Sequence, residues 1–289
     1  TSQVLLGTVL KEQLARMNTV KTRTGTEDFS REAIATAVQR LANPDDEGLV
    51  TTNEKVWDLL RLGISIPMTI DGRRRSHPLR YIDWDHPENN TLQVTEEFTV
   101  DRYADRLDLE NSERSEKEEA DRRNRRPDLV CFVNGIPFVV IECKRHVLPG
   151  EGNAVDQAIS QHLRNQRPDE IPRLFQYAQM LLALSSSNAK YGVTGTPAAH
   201  WSHWREQAFD DASLAALRTP ASAEEIARIR TLLERNPHRT RIVDDAQETL
   251  RRLETPVGEA TPQDRLLQSI CTPSRLLELV RDYTLFEKE

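Results

Sequence analysis

The sequence predicts an α/β fold, a mixed central sheet flanked by helices, with a helical section at its C-terminal end. Three observations carry this. Helical spacing runs to Leu62, then gives way to short β-like runs ending at Cys143. Asn134-Gly135, the strongest short hairpin signal, separates the two most apolar of those runs. A helical stretch, one further strand and a helix-only tail follow, so hairpins combine with a strand–helix section.

Val4 to Met17 place Leu5, Leu6, Val9, Leu10 and Leu14 on one broad helical face. Ser30 caps a second helix over Arg31 to Leu41, stopped by Asn43-Pro44-Asp45-Asp46. Thr52 is the expected cap of a third, from Asn53 to Leu62, ended by Gly63. Strands are expected over Ile64–Ile70, Leu79–Trp84 and Leu92–Val100. Asp71-Gly72 marks a hairpin between the first two, and Pro87 to Asn90 a turn. Leu107 to Arg126 is densely charged and reads as a solvated loop, or as a mobile element near DNA.

Leu129–Val133 and Ile136–Cys143 form the central hairpin. Helices are expected over Ala154–Asn165 and Ile171–Ser185, and a strand over Tyr191–Thr194. Ala223–Glu234, Ala246–Leu253 and Pro262–Val280 are helical, separated at Pro220, Pro237 and Pro256. Residues 1–205 are the expected main domain and 206–289 a helical connector.

The 289 residues are 29% charged and 37% hydrophobic, enough for a large core and too apolar for disorder. Net charge is 39 − 46 = −7, which does not advertise a nucleic-acid binder. It does not exclude a nuclease that gathers carboxylates at a metal site. Cys131, Cys143 and Cys271 lack metal-ligand spacing and read as reduced structural thiols of a cytoplasmic protein. No apolar run reaches 18 residues, so no membrane span is expected. The chain starts at Thr1 and ends without a stop signal, so a fragment of a longer protein is expected.

The chemistry concentrates at Pro127-Asp128 and Glu142-Cys143-Lys144. Charges at the edge of a buried strand are costly unless paired or metal-bound. On a strand, Glu142 and Lys144 share one face. Asp128 begins the neighbouring strand, so two hard oxygen ligands could chelate Mg²⁺ or Mn²⁺ and leave positions for water and phosphate. Lys144 would orient or deprotonate the water, or neutralise transition-state charge, and the sequence does not choose. The bland reading of Glu-x-Lys is a strand-end surface pair.

Register supplies a test. A plain two-residue loop at Asn134-Gly135 would set Asp128 opposite Ile141 and point it away from Glu142. The site needs a shift by one, through an irregularity expected between Asn134 and Val139, with Pro137 a natural position for it.

Gln157 and Gln161, at i and i+4, share a helix face and can touch phosphate, base edge or metal-bound water. Arg164 and Arg167 are candidate phosphate contacts. No G-x-x-x-x-G-K-[ST] pattern occurs, so no phosphate-cradling ATP loop is present. His200 and His203 are discounted as zinc ligands and Trp201 and Trp204 read as packing. Arg73-Arg74-Arg75 reads as a solvated basic turn, and Cys143 as buried and inert.

Arg126 to Val130 followed by Phe132 to Lys144 closely resembles the nuclease segment of the R (HsdR) subunit of type I restriction–modification enzymes. Similar stretches are Asn53 to Gly63, Ile82 to Asn90, Phe98 to Val100, Ile171 to Tyr177, Tyr191-Gly192, and Leu266 to Glu289 ahead of the family's motor domain. The resemblance implies a restriction-endonuclease-like core of the PD-(D/E)xK, RecB-like kind. It implies Asp128 and Glu142 as metal ligands and Lys144 as the catalytic lysine. Gln157 matches the Gln of the family's Gln-x-x-x-Tyr element, and Gln161 stands where Tyr is expected. Glu32 is the candidate for a supporting acidic residue from the first helices. The resemblance further implies Mg²⁺-dependent cleavage of duplex DNA after translocation by an ATP-driven, helicase-like motor C-terminal to this chain. Modification and specificity subunits are the implied partners. Alternatives are a non-cleaving docking module, or a nuclease of the same core from another restriction or repair system. Loss of cleavage on replacing Glu142 separates the first alternative. The residues that follow in the gene separate the second.

Overall fold

The computed structural model describes residues 4–23, 25–70, 72–103, 123–144, 153–185, 187–205, 220–234 and 260–286. The elements are α1 (Gly7–Met17), β1 (Thr19–Lys21), β2 (Thr26–Asp28), α2 (Arg31–Ala42), α3 (Leu49–Leu62), β3 (Ile64–Ile70) and β4 (Arg73–Leu79). There follow β5 (Leu92–Glu96), β6 (Val100–Asp101), β7 (Asn124–Arg125), β8 (Leu129–Val133), β9 (Ile136–Cys143) and α4 (Ala154–Asn165). The last are α5 (Pro172–Tyr177), β10 (Met180–Ser185), β11 (Asn188–Gly192), α6 (Ala223–Glu234), α7 (Pro262–Cys271) and α8 (Pro273–Asp282).

Five strands form the central sheet in the order β11-β10-β9-β8-β5. β9 and β10 are parallel and the other neighbours antiparallel, so the sheet is mixed as expected. α4 packs on β9 and β10, α3 on α5, and α7 on β11. The restriction-endonuclease-like α/β architecture is therefore present.

The β8–β9 hairpin turns on Asn134 (φ 55°) and Gly135 (φ 79°), the pair of positive angles a two-residue I′ turn requires. Asn134 is buried and fully engaged. Its Nδ2 donates to the Tyr81 carbonyl at 2.9 Å and to Asn90 Oδ1 at 2.8 Å, and its Oδ1 accepts from Thr91 N at 2.8 Å. A Cβ at Gly135 would lie 2.7 Å from the Leu6 carbonyl oxygen, so α1 enters across the turn only because no side chain is there. Val133 pairs with Ile136 and Phe132 with Pro137, but Cys131 pairs with Val139 and Leu129 with Ile141. Phe138 is the extra residue, and the irregularity falls within the expected window.

Several elements differ from expectation. The run Ile171–Ser185 is not one helix: α5 ends at Tyr177 and Met180–Ser185 is a strand buried along its whole length. A strand covered on both faces is continuously apolar, and such a short run has no period to separate it from a helix. The second strand of the β3–β4 hairpin is Arg73–Leu79, so the three arginines lie in a strand, although exposed. Tyr81 to Trp84 instead form a partly buried loop, where Asn90 bonds both the amide of Asp83, at 3.0 Å, and its carbonyl, at 2.8 Å. The expected Leu92–Val100 strand splits into β5 and β6. The last strand is Asn188–Gly192, a few residues earlier than expected.

α3 begins at Leu49 after Gly48, and Thr52 lies inside it; its hydroxyl accepts from the Glu47 amide at 3.1 Å instead of capping. Ser30 does cap α2, accepting from Ala33 N at 3.2 Å. Leu266, Ile270, Leu276, Leu277 and Val280 of α7 and α8 join the same core as the sheet. The Trp57 indole donates to the Val280 carbonyl at 2.7 Å. Most of the Leu107–Arg126 loop and the Ala246–Leu253 helix lie outside the described residues. No described helix is long and apolar enough to cross a membrane.

Candidate active site

The Phe138 bulge sets the geometry. With Leu129 opposite Ile141, Asp128 faces Glu142 across the β8–β9 ladder, and facing residues share a side of the sheet. Lys144 follows Glu142 by two and lies on that side as well. Lys144 Nζ stands 4.0 Å from Asp128 Oδ2. The same oxygen accepts from the backbone amide of Cys143 at 2.7 Å, which fixes the Asp128 carboxylate against the end of β9. Glu142 is fully buried, and Gln161 on α4 donates to its Oε2 at 2.6 Å. Glu142 Oε1 is buried without a hydrogen-bond partner.

Burial pushes the Glu142 carboxyl up to about 8, and the Asp128 carboxylate beside it pushes the same way. Lys144 and the Gln161 amide oppose this without cancelling it. A second cation near the orphaned oxygen would supply the missing compensation. The donor chemistry fits a hard divalent ion: two carboxylates on adjoining strands, one with an oxygen no protein donor has claimed. Among the described residues no group of three or more His, Cys, Asp or Glu is placed to hold a metal. Two carboxylates would leave further positions of a hard ion's shell for oxygens such as those of water or phosphate.

α4 is the second structural support. Asn153 caps it, accepting from Val155 N at 3.1 Å. Its buried face comprises Val155, Ala158, Ile159 and His162, which turns Gln157 and Gln161 toward the other side. Gln157, Gln161, Arg164 and Lys144 line one open groove with Asn153, Asp156 and Ser160. Arg164 is exposed there and bonds Asn165 Oδ1 at 3.1 and 3.2 Å. Gln161 touches Glu142 directly.

Among the described residues no hydrogen bond or ion pair brings Glu32 to this group. It is exposed in the first turn of α2, and its carboxyl is held low by backbone and Ser30 hydrogen bonds at that turn. Cys143 is exposed, not buried, because its side chain points opposite to Glu142 at the open end of β9. Its thiol is nevertheless raised to about 11 by desolvation and the Asp128 and Glu142 carboxylates, which favours the protonated form. Trp201 is buried against His162 at 5.2 Å and Trp204 packs on Tyr191 at 5.5 Å.

Two contributors escaped the sequence reading. The Cys143 amide orients Asp128, and no residue type advertises a backbone N–H. His162 is fully buried, with Nε2 3.0 Å from the Leu182 carbonyl on β10. Its position at i+7 from Val155 on the apolar face was the available signal.

Residues 1–200 match the family model described as type I restriction enzyme R protein N terminus. The chain is 27% identical over 201 residues to the type I restriction enzyme HindI endonuclease subunit of Haemophilus influenzae, covering 70% of this chain and 17% of that one. It is 26% identical over 173 residues to a protein of Methanocaldococcus jannaschii named "Putative type I restriction enzyme MjaIXP endonuclease subunit", covering 60% and 14%. The chain thus spans only 14% and 17% of these relatives' length. With the mixed sheet and the Asp128, Glu142 and Lys144 convergence in hand, the chain belongs to the family of type I restriction enzyme R protein N-terminal regions.

Proposed function

We propose that this chain is the metal-dependent endonuclease domain of a type I restriction enzyme R subunit, hydrolysing phosphodiester bonds of duplex DNA. The observation that carries the reading is the meeting of Asp128, Glu142 and Lys144 on one side of β8 and β9, with a buried Glu142 oxygen left unpartnered. Asp128 and Glu142 would hold Mg²⁺, or Mn²⁺ in its place. When bound, such an ion polarises a phosphate and lowers the pKa of a water.

The chain's own groups do the positioning. The Cys143 amide holds Asp128 and the Gln161 amide holds Glu142, so neither carboxylate must reorganise as charge develops. Lys144, half-buried at the groove edge, offsets negative charge on the phosphate in the transition state or orients the attacking water. Gln157 and Arg164 extend the donor surface along the groove, where a DNA backbone would lie.

In the same reading, residues 1–205 carry the nuclease and 206–289 lead toward an ATP-driven motor. α7 and α8 lie within that second stretch and pack into the core, which would couple motor and nuclease mechanically. Modification and specificity subunits would supply sequence recognition in a cytoplasmic complex. The test is Asp128→Ala in the reconstituted enzyme with Mg²⁺ and ATP. Cleavage is lost while ATP hydrolysis and the domain's thermal transition persist. Full cleavage by a folded variant would defeat the reading.

A further inference from the structure

We propose that the β3–β4 ribbon is a second DNA contact, docking the sugar-phosphate backbone of a duplex away from the cleavage residues. It rests on the reading of DNA as substrate given above. Residues 64–79 carry Arg73, Arg74 and Arg75 against a single acidic residue, Asp71, in a chain of net charge −7. The arginines therefore stand out locally against the chain's overall sign.

The ribbon is built as a platform. Among the described residues β3 and β4 pair with each other alone and add no strand to the central sheet. Its inner face is anchored by buried Ile66, Ile70 and Leu79. At its base the chain turns on Gly63 (φ 70°), where a Cβ would lie 2.3 Å from the Leu79 carbonyl oxygen. The outer face presents Ser65, Pro67 and Thr69 beside Arg74, Ser76 and Pro78, all exposed. It offers hydroxyl and guanidinium donors and no carboxylate.

All three arginines are exposed, and none joins an ion pair or side-chain hydrogen bond among the described residues. Arg125 and Arg281, by contrast, are engaged, with Glu170 at 2.7 Å and with Asp85 at 3.0 Å. Arg73 and Arg75 leave the ribbon on the side of Ile66 and Ile70, at its exposed turn end, and Arg74 leaves on the outer side. Residues two apart on a strand are about 7 Å apart, far enough to meet different phosphates. A regularly spaced row of phosphate acceptors suits this basic, carboxylate-free face, whose hydroxyls and guanidinium can all donate to it.

The test is equilibrium binding of the 289-residue chain to a fluorescent duplex of arbitrary sequence, in EDTA, over a series of salt concentrations. EDTA separates the outcome from catalysis, which is scored by cleavage with Mg²⁺ and the Asp128→Ala variant. Each phosphate contact contributes about 0.9 to the slope of log affinity against log salt. Replacing Arg73, Arg74 and Arg75 by Gln is expected to reduce the slope by about 2 to 3 and weaken binding about tenfold or more near physiological salt. Arg74→Gln alone, on the outer face and outside the core, is expected to reduce it by about 1. An unchanged slope in folded Arg74→Gln and triple variants overturns the proposal. So does a defect confined to assembly with partner subunits, because the ribbon would then be a protein contact.

Discussion

Asp128 Oδ2 accepts a hydrogen bond from the Cys143 amide at 2.7 Å, one residue from the Glu142 carboxyl that it faces across the ladder. Two acidic groups are thereby pinned against each other by the backbone. Only an added cation relieves the arrangement when both are ionised.

The first prediction concerns that pinning. Asp128→Asn keeps the size of the side chain but removes one negative charge beside Glu142. Cleavage by the assembled enzyme is expected to fall by about 10³-fold, on the order of losing one preorganised electrostatic group. Without metal the variant is expected to melt no lower than the parent. Plasmid cleavage and a thermal scan check the two halves.

The metal-free site carries a pH signature. Glu142 has its folded pKa raised to about 8 from the ordinary 4.5, so folding takes up a proton. The stability this lends is present below pH 4.5 and lost as pH rises through 8. Glu142→Gln, which cannot ionise, is expected to exceed the parent by ~2–4 kcal/mol at pH 9 in EDTA and to match it near pH 4.5. Urea unfolding across that range is the measurement. A difference constant with pH would sink the assignment.

Gln161 lowers the Glu142 pKa through its hydrogen bond. Gln161→Leu is expected to raise that pKa further, moving the rise of cleavage with pH to higher pH and lowering the rate about 10–100-fold at neutrality. Gln161→Tyr restores a side-chain donor and is expected to recover most activity. A pH–rate profile that shifts in neither variant would show Gln161 to be a bystander.

His162 couples α4 to the sheet. Burial lowers its pKa to about 4 from 6.5, so it is neutral when folded and its stabilising effect is lost as pH falls from 6.5 through 4. His162→Phe preserves the ring against Trp201 but drops the bond to the Leu182 carbonyl, at a cost of about 1–3 kcal/mol at pH 7. The penalty is expected to shrink by pH 5, since Phe has nothing to protonate. Denaturant curves at both pH values decide it.

The site residues were legible because their chemistry is local. Asp128, Glu142 and Lys144 stand in one short hairpin, and Asn134-Gly135 fixes its turn through two positive φ angles. The need for an irregular register followed from counting alternate faces, and Phe138 supplies it. The capped α2 and the amphipathic α4 were likewise visible, as cap chemistry and apolar period.

Tertiary structure alone decided the rest. Met180–Ser185 became a central strand because both its faces are covered, a circumstance that erases the alternation by which a strand is recognised. Tyr81–Trp84 became a loop because Asn90 and the distant Asn134 claimed its backbone groups. The raised pKa of Glu142 likewise arises from burial and a neighbour fourteen residues away, quantities that exist only once the chain has closed around them.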